Sequence, residues 1–299
     1  MTSSVSVVKQ RITPRSETLR RQKPKLQTRE EQMIESLSPN LNIMVRAARR
    51  AGSRMIRDFG EVTNLQVSRK GPGDFVTNAD MMAEKTLIEL LSEARPDYGI
   101  ISEESGKIQA QNDSPFTWII DPIDGTINFL HAISFFAVSI ALAHKGDIIA
   151  GVVYNPITNH MYYAEKGKGA FLMTPTGNFR LRVSGRNNIS DTLIASNAFT
   201  TPKNAKVMPR FTKGVSSVRY TGSAALSLAM VAAGQLDAYI ATQLKVWDVA
   251  AGMLLVNEAG GVITDFNGSQ KFDDIIKTQE MIATTRNLKS VFLEKLKEK

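Results

Sequence analysis

The sequence predicts an α/β protein whose N-terminal half is α+β, and three observations carry that expectation. Apolar residues recur at three- and four-residue steps in two long stretches early in the chain. Short apolar runs rich in β-branched and aromatic residues follow, separated by turn residues, which reads as a meandering sheet. From about Ser184 strand-like and helix-like patterns alternate.

Each element has a local reason. Ordered structure is expected to start at Ser38-Pro39, where Ser38 can cap a helix and Pro39 suits its first turn. Leu41, Met44, Val45, Ala48, Met55, Ile56 and Phe59 then share one face, and Gly60 stops the helix. A second helix is expected from near Ala79 to Glu93, with Leu87, Ile88, Leu90 and Leu91 inward and Pro96 beyond its end. Between the two, "SRKGPGDFVTNAD" reads as a glycine-rich loop or hairpin. "YGIIS" and "TWIID" read as short buried strands, and "FFAVSIALAHKGDIIAGVVYNP" and "HMYYAEKGKGAFL" as hairpins. Beyond Ser184, "TLIASNAF", "VRY" and "DAYIA" read as strands, "SAALSLAMVAAG" and "VWDVAAGMLLVNEAGG" as helices, and "VITDF" as the last strand.

Composition narrows the chemistry. At 299 residues and 42% apolar content the chain can bury one large core or two ordinary ones. No apolar run is long enough to span a membrane. There is no cysteine, which excludes thiol nucleophiles, disulfides and zinc-thiolate sites and is compatible with a cytoplasmic protein. The three histidines, His131, His144 and His160, lack ligand spacing. Much of the net charge of +8 is local to the N-terminus, which carries Lys9, Arg11, Arg15, Arg20, Arg21, Lys23, Lys25 and Arg29 and has no secretory apolar region. Residues 1–37 are therefore expected to be a basic, flexible extension, with a docking arm for RNA or protein as the alternative.

The chemistry concentrates in "WIIDPIDGTINF", Trp118 to Phe129. Asp121 and Asp124 stand three apart after an apolar run, followed by Gly125 and Thr126. Asp-Pro and Asp-Gly are also ordinary turn dipeptides, so a structural turn is the plain alternative. Two carboxylates delivered to a sheet rim, with the Ile123 carbonyl between them, form an all-oxygen donor set. Such a set selects Mg²⁺, Mn²⁺ or Ca²⁺ over zinc. Glu103 and Glu104 in "ISEESG", Asp74 and Asp80 around Thr77, and Asp248 in "VWDVAAG" have the same flavour. Each has a plain reading too: solvated loop charges for Glu103 and Glu104, a first-turn carboxylate for Asp80, a helix N-cap for Asp248. Spacing alone does not say whether these segments meet. If they do, carboxylates within about 5 Å repel by roughly 3 kcal/mol per pair at an effective dielectric near 20, which divalent cations remove. Two such ions suit attack of water on a phosphate ester.

"WIIDPIDGT" followed about 120 residues later by "WDVAAG" resembles the paired signature of the inositol monophosphatase family, Mg²⁺-dependent, lithium-sensitive phosphatases. "DFVTNAD", "SEES", "GVVYNP", "GKGAF" and "EAGG" stand at matching places, and the likeness runs from about Leu41 to Lys299. It implies a layered α-β-α-β-α sandwich of the inositol monophosphatase and fructose-1,6-bisphosphatase type. With the change of pattern at Ser184, the chain divides into the extension, an α+β part over 38–183 and an α/β part over 184–299, and the resemblance makes the first the metal-binding part and the second the one that completes the site. By resemblance, Glu103, Asp121 and the Ile123 carbonyl hold a first Mg²⁺, and Asp121, Asp124 and Asp248 a second; a third, looser ion sits near Glu103. Mn²⁺ is a substitute metal and Li⁺ an inhibitor. Asp80 and Thr126 become the pair that positions and deprotonates the attacking water, with Glu103 assisting. Gly125 and Thr126 amides face the phosphate, Gly222, Ser223 and Ala224 touch substrate hydroxyls together with Asp248, and Lys70 resembles a lysine near the metals in a loop one residue longer.

One departure bears on substrate. Animal members carry a glutamate seven residues before the motif aspartate that binds inositol hydroxyls, and this chain has Ala241 there. The resemblance thus implies a phosphomonoesterase acting on myo-inositol 1-phosphate or a related ester, in a cytoplasmic homodimer. Fructose 1,6-bisphosphate, histidinol phosphate and phosphoadenosine nucleotides stay open as substrates. A regulatory RNA- or protein-binding module on the same fold and a passive metal-binding scaffold are the rival classes.

Overall fold

The computed structural model describes residues 31, 34–59, 67–71, 74–197 and 202–297. The first helix, α1 (Pro39–Phe59), begins where Ser38 accepts from the Leu41 amide at 3.5 Å. It buries Leu41, Met44, Val45, Ala48 and Met55, as expected, but leaves Ile56 48% exposed. One residue past Met55, Ile56 has rotated about 100° away from the buried stripe. Gly60 and the side chain of Lys70 lie outside the described residues, as do those of residues 1–30. The expected extension reaches too far at its end: Ile34 is buried in the same core as α1, and the Asn42 side chain donates to its carbonyl at 2.8 Å.

A hairpin of β1 (Val67–Gly71) and β2 (Asp74–Thr77) leads into α2 (Asn78–Ala94), which buries Leu87 and Leu91. Next come β3 (Gly99–Ser102), β4 (Gly106–Ile108), β5 (Phe116–Asp124) and the short α3 (Thr126–Leu130). The meander follows as β6 (Ala137–His144), β7 (Asp147–Asn155), β8 (His160–Glu165), β9 (Gly169–Thr174) and β10 (Gly177–Arg180). These strands form one sheet in the order β10-β9-β8-β7-β6-β5-β3-β4, antiparallel throughout except where β3 runs parallel to β5. Strands β4 and β10 escape sequence reading because they present few buried apolar side chains.

The second half adds β11 (Leu193–Ser196), α4 (Pro202–Thr212), β12 (Ser217–Tyr220), α5 (Ala224–Ala232), β13 (Ala238–Thr242) and α6 (Val246–Glu258). Then follow β14 (Val262–Thr264), α7 (Phe272–Thr278), β15 (Glu280–Thr284) and α8 (Lys289–Lys295). The second sheet has the order β12-β11-β13-β15-β14. "VITDF" is therefore not the last strand: β15 follows it and inserts between β13 and β14, pairing antiparallel with both.

Three cores stack these elements into five layers, α1/α2, the large sheet, α5/α6, the small sheet and α4/α8. Alternation along the strands builds them. Trp118 and Ile120 face α1 and α2 while Ile119 between them faces α5 and α6. On β13, Ala238 and Ile240 face outward to α8 while Tyr239 and Ala241 face the middle layer. The middle helices are buried all round and read as apolar runs rather than amphipathic stripes. Among the described residues no helix is long and apolar enough to cross a membrane.

Contact between α6 and the large sheet is close because β7 carries glycine there. A Cβ on Gly151 would stand 3.0 Å from both the Cα and the carbonyl oxygen of Ala251. Gly151→Val should lower the free energy of unfolding by about 1–3 kcal/mol, read by urea denaturation. Unchanged stability would mean that α6 does not rest on β7 as described.

Candidate active site

The two motif aspartates come from the end of β5, not from a turn. Residues three apart on a regular strand point to opposite faces. Here Asp121 pairs with Ser139 of β6 and Asp124 with Ala137, so one extra residue sits on β5. That bulge reverses the parity and brings both carboxylates to the same rim. Pro122 lies inside it, where a missing amide donor costs no ladder bond.

Asp248 reaches this rim from the far end of the sequence. It is the third residue of α6, not its N-cap, and its carboxylate accepts from the Lys245 amide at 2.8 Å. Ser139, the partner of Asp121, donates from its hydroxyl to the Trp247 carbonyl at 3.3 Å, which pins the start of α6 to β6. Asp80 sits in the same way as third residue of α2. It forms a capping box with Thr77, whose hydroxyl and amide donate to Asp80 Oδ2 at 2.5 and 2.9 Å. Its other oxygen accepts from the Thr126 hydroxyl at 3.4 Å, and that hydroxyl also lies 3.1 Å from the Ile123 carbonyl.

These residues open onto one cavity of about 370 Å³, lined by Glu103, Asp121, Ile123, Asp124, Gly125, Thr126, Gly222, Ser223, Ala224 and Asp248 among others. Every catalytic, metal and substrate position expected from the sequence lines it directly except Asp80, which joins through Thr126, and Lys70, whose side chain lies outside the described residues. Gly125 takes φ +103°, and a glycine at this N-cap leaves the first turn of α3 without a side-chain cap. The plain readings of Asp121 and Asp124 as turn residues and of Asp248 as an N-cap do not hold.

Burial and mutual repulsion dominate the electrostatics. Asp121 is pushed well above the ordinary carboxylate range by burial first, then by the charges of Glu103, Asp124, Asp248 and Asp80. Its Oδ1 is buried without a hydrogen-bond partner. Asp124 is raised to about 6 by burial, opposed by bonds from the Ser223 hydroxyl and the Ala225 and Ala224 amides. Burial and then Asp124 raise Asp248 to about 7, and burial raises Asp80 to about 6 against its Thr77 bonds.

An all-oxygen site with one orphaned carboxylate oxygen fits a hard divalent cation. The side chains are gathered rather than closed, however. Among the described residues no three His, Cys, Asp or Glu side chains are arranged to hold an ion as they stand. Local bonds explain this: Asp124 turns to the N-terminus of α5, Asp248 to Lys245 and Asp80 to Thr77. Ser223 and Ala224, expected at substrate hydroxyls, likewise direct their donors to Asp124.

The sequence reading missed several wall residues. Asn128 donates to the Phe135 and Thr221 carbonyls at 2.7 and 2.8 Å and holds the 221–223 turn against α3. Gly222 is needed there, at φ +80°, because a Cβ would lie 2.8 Å from the Asn128 amide nitrogen. Ala241 faces the middle core and does not line the cavity; Gln243 and Leu244 line it instead. Gln243 holds φ +59°, and the adjacent Thr242 backbone is gripped from both sides by Asn197. Tyr239 completes this wall, buried beside Asp124 and Asp248. No local pattern marks these residues, because their placement depends on chain reversals between layers.

Comparisons with known proteins agree with this fold. A model described as the inositol monophosphatase family matches residues 36–299. A protein of Caulobacter vibrioides named inositol-1-monophosphatase is 46% identical over 260 residues, covering 85% of this chain and 99% of that one. The "Nus factor SuhB" of Escherichia coli K12 is 40% identical over 244 residues, covering 79% and 88%. A crystal structure of the "extragenic suppressor protein suhB" from Bartonella henselae superposes with a TM-score of 0.82 at 45% identity, covering 87% and 99%.

The raised carboxylates carry a pH signature. Their folded values near 6 to 7 exceed the ordinary 3.8, so the fold favours their protonated forms. The associated stability is full below 3.8 and is lost as pH rises through 6 to 7. Thermal unfolding in chelator should therefore show Tm falling between about pH 4 and 7, with Mg²⁺ restoring most at the upper end. A Tm that climbs across this window in chelator would contradict the charge cluster.

Proposed function

The chain belongs to the inositol monophosphatase family of phosphoric monoester hydrolases, and on that premise we propose that it hydrolyses myo-inositol 1-phosphate or a closely related small monoester with Mg²⁺. The observation that carries this reading is the convergence of Glu103, Asp121, Asp124 and Asp248 on one cavity, with an Asp121 oxygen buried and unpartnered. In this reading Glu103, Asp121 and the Ile123 carbonyl hold one ion, Asp121, Asp124 and Asp248 hold another, and a looser third lies near Glu103. Mn²⁺ substitutes and Li⁺ inhibits. When bound, the ions cancel the carboxylate repulsion, acidify water and neutralise charge on the phosphate.

The chain's own groups supply the rest. Thr126 sits within reach of Asp80, so its hydroxyl can accept a proton from the attacking water while passing its own to Asp80. Burial holds Asp80 near 6, which makes it a stronger base than an ordinary carboxylate yet still ionised at neutral pH. The Thr77 bonds fix its orientation. Gly125 and Thr126 amides face the phosphate, and water protonates the departing alkoxide. The wall of Asn197, Tyr239 and Gln243 takes the alcohol end in place of the glutamate that Ala241 replaces. The protein acts as a homodimer in the cytoplasm, as the family resemblance implies.

A second reading, a regulatory binding role, is favoured by one observation: a relative at 40% identity bears the name Nus factor. The arginine-rich N-terminus would be its contact. Deleting residues 1–30 separates the two. Phosphatase activity should survive, whereas loss of salt-sensitive RNA binding would support the second reading.

A phosphate-release screen decides the substrate. Inositol 1-phosphate should exceed fructose 1,6-bisphosphate, histidinol phosphate and phosphoadenosine nucleotides in kcat/KM, with Li⁺ inhibiting. Preference for a bisphosphate would reverse the assignment. Asp121→Asn should lower kcat by orders of magnitude while metal-free stability holds or rises, because a buried repelling charge is gone. Turnover retained at saturating Mg²⁺ in that variant would count against these roles.

A further inference from the structure

Glu84 is a buried carboxylate that the reaction does not account for. It lies on α2 one turn beyond Asp80 and is 2% exposed. It does not line the active-site cavity. Its two oxygens accept from the Ser102 and Ser105 hydroxyls and from the Glu104 amide, the last at 3.0 Å. Ser102 ends β3 and Gly106 begins β4, so all three donors belong to the turn that carries Glu103.

That turn has an electrostatic reason to loosen. After burial, the charge of Glu103 is the largest influence raising Asp121, so the two carboxylates stand close enough to repel. Rotation of the turn toward solvent would relieve the repulsion. Three donors anchored on a buried carboxylate oppose it, since removing one partner leaves buried polar groups unpaired. Glutamine would keep one oxygen for the Ser102 hydroxyl and the Glu104 amide, but its NH₂ could only donate to a reversed Ser105 hydroxyl, and the charge that strengthens all three bonds would be gone.

We infer that Glu84 is a positioning residue for the metal centre, holding the Ser102–Ser105 turn so that Glu103 stays against Asp121. A single helix face then sets two functional groups: Asp80 directly, and Glu103 through Glu84 four residues on. This rests on the assignment of Glu103 and Asp121 as cation ligands proposed above. The bonding pattern is that of an outer partner orienting a ligand, whose loss typically costs about 10–100-fold in metal affinity.

The test is Mn²⁺ binding to the full chain by calorimetry, beside Mg²⁺ titrations of activity and thermal unfolding. Glu84→Gln should weaken Mn²⁺ binding by roughly 10–100-fold and raise the half-saturating Mg²⁺ concentration alike, with kcat recovering as Mg²⁺ is raised. Ser105→Ala, which removes one donor from the turn's exposed edge, should shift both in the same direction by less. It carries the test should Glu84→Gln fail to fold. Metal affinity unchanged in the folded variants, with only Tm lowered, would show a merely structural role and overturn the inference. Asp121→Asn is the control and should lose most Mn²⁺ binding; if it binds Mn²⁺ as the wild-type chain does, the metal assignment fails, not the role of Glu84.

Discussion

The structure is organised around an unfavourable act: carboxylates of like charge are held together in a partly dehydrated cavity. Asp121, Asp124 and Asp80 are buried, and Glu103 and Asp248 complete the cluster. Each of the three buried aspartates has its acid form favoured, chiefly by desolvation. Such an arrangement persists only when the surrounding fold over-determines it. A bulge in β5, the starts of α2, α5 and α6, and the rim of a sheet all converge to do so.

Helix N-termini are the shared device. Asp80 and Asp248 are third residues that bond back to the residue before their helix, and Asp124 accepts amides from the start of α5. Each carboxylate thus meets backbone donors and the positive end of a helix dipole, which offsets part of its desolvation. Asp121 has no such help for Oδ1. It is also the residue on which the repulsions of the other four converge, so a cation placed there relieves the largest strain. Stability and catalysis pull in opposite directions at this site, as the chemistry of a preorganised electrostatic pocket requires.

The layering explains how distant residues meet. Alternating faces of β5, β6 and β13 fill the cores on both sides, so each strand's position in depth is set by its neighbours. The start of α6 is pinned to β6 through Ser139 and Trp247. Close contact of α6 with β7 at Gly151 holds the helix in register with the sheet that carries Asp121. The site therefore depends on middle-layer packing that contains no catalytic residue.

Much was determined by sequence alone. The period of apolar residues marked α1, α2 and the hairpins from β6 to β9, because helix and strand periodicity are local properties. The resemblance carried by "WIIDPIDGT" and "WDVAAG" singled out the proposed ligands Glu103, Asp121, Asp124 and Asp248 and the proposed Asp80–Thr126 pair, because chemistry resides in side-chain identity. The tertiary structure decided the rest. It placed β15 inside the second sheet, turned an apparent Asp-Pro turn into a bulged strand, moved Ala241 into the core and gave its wall position to Gln243. It also revealed Glu84 behind the Glu103 turn. These outcomes depend on strand order, register and the facing of side chains across layers. Those are properties of contacts between residues far apart in the chain, on which local pattern carries no information.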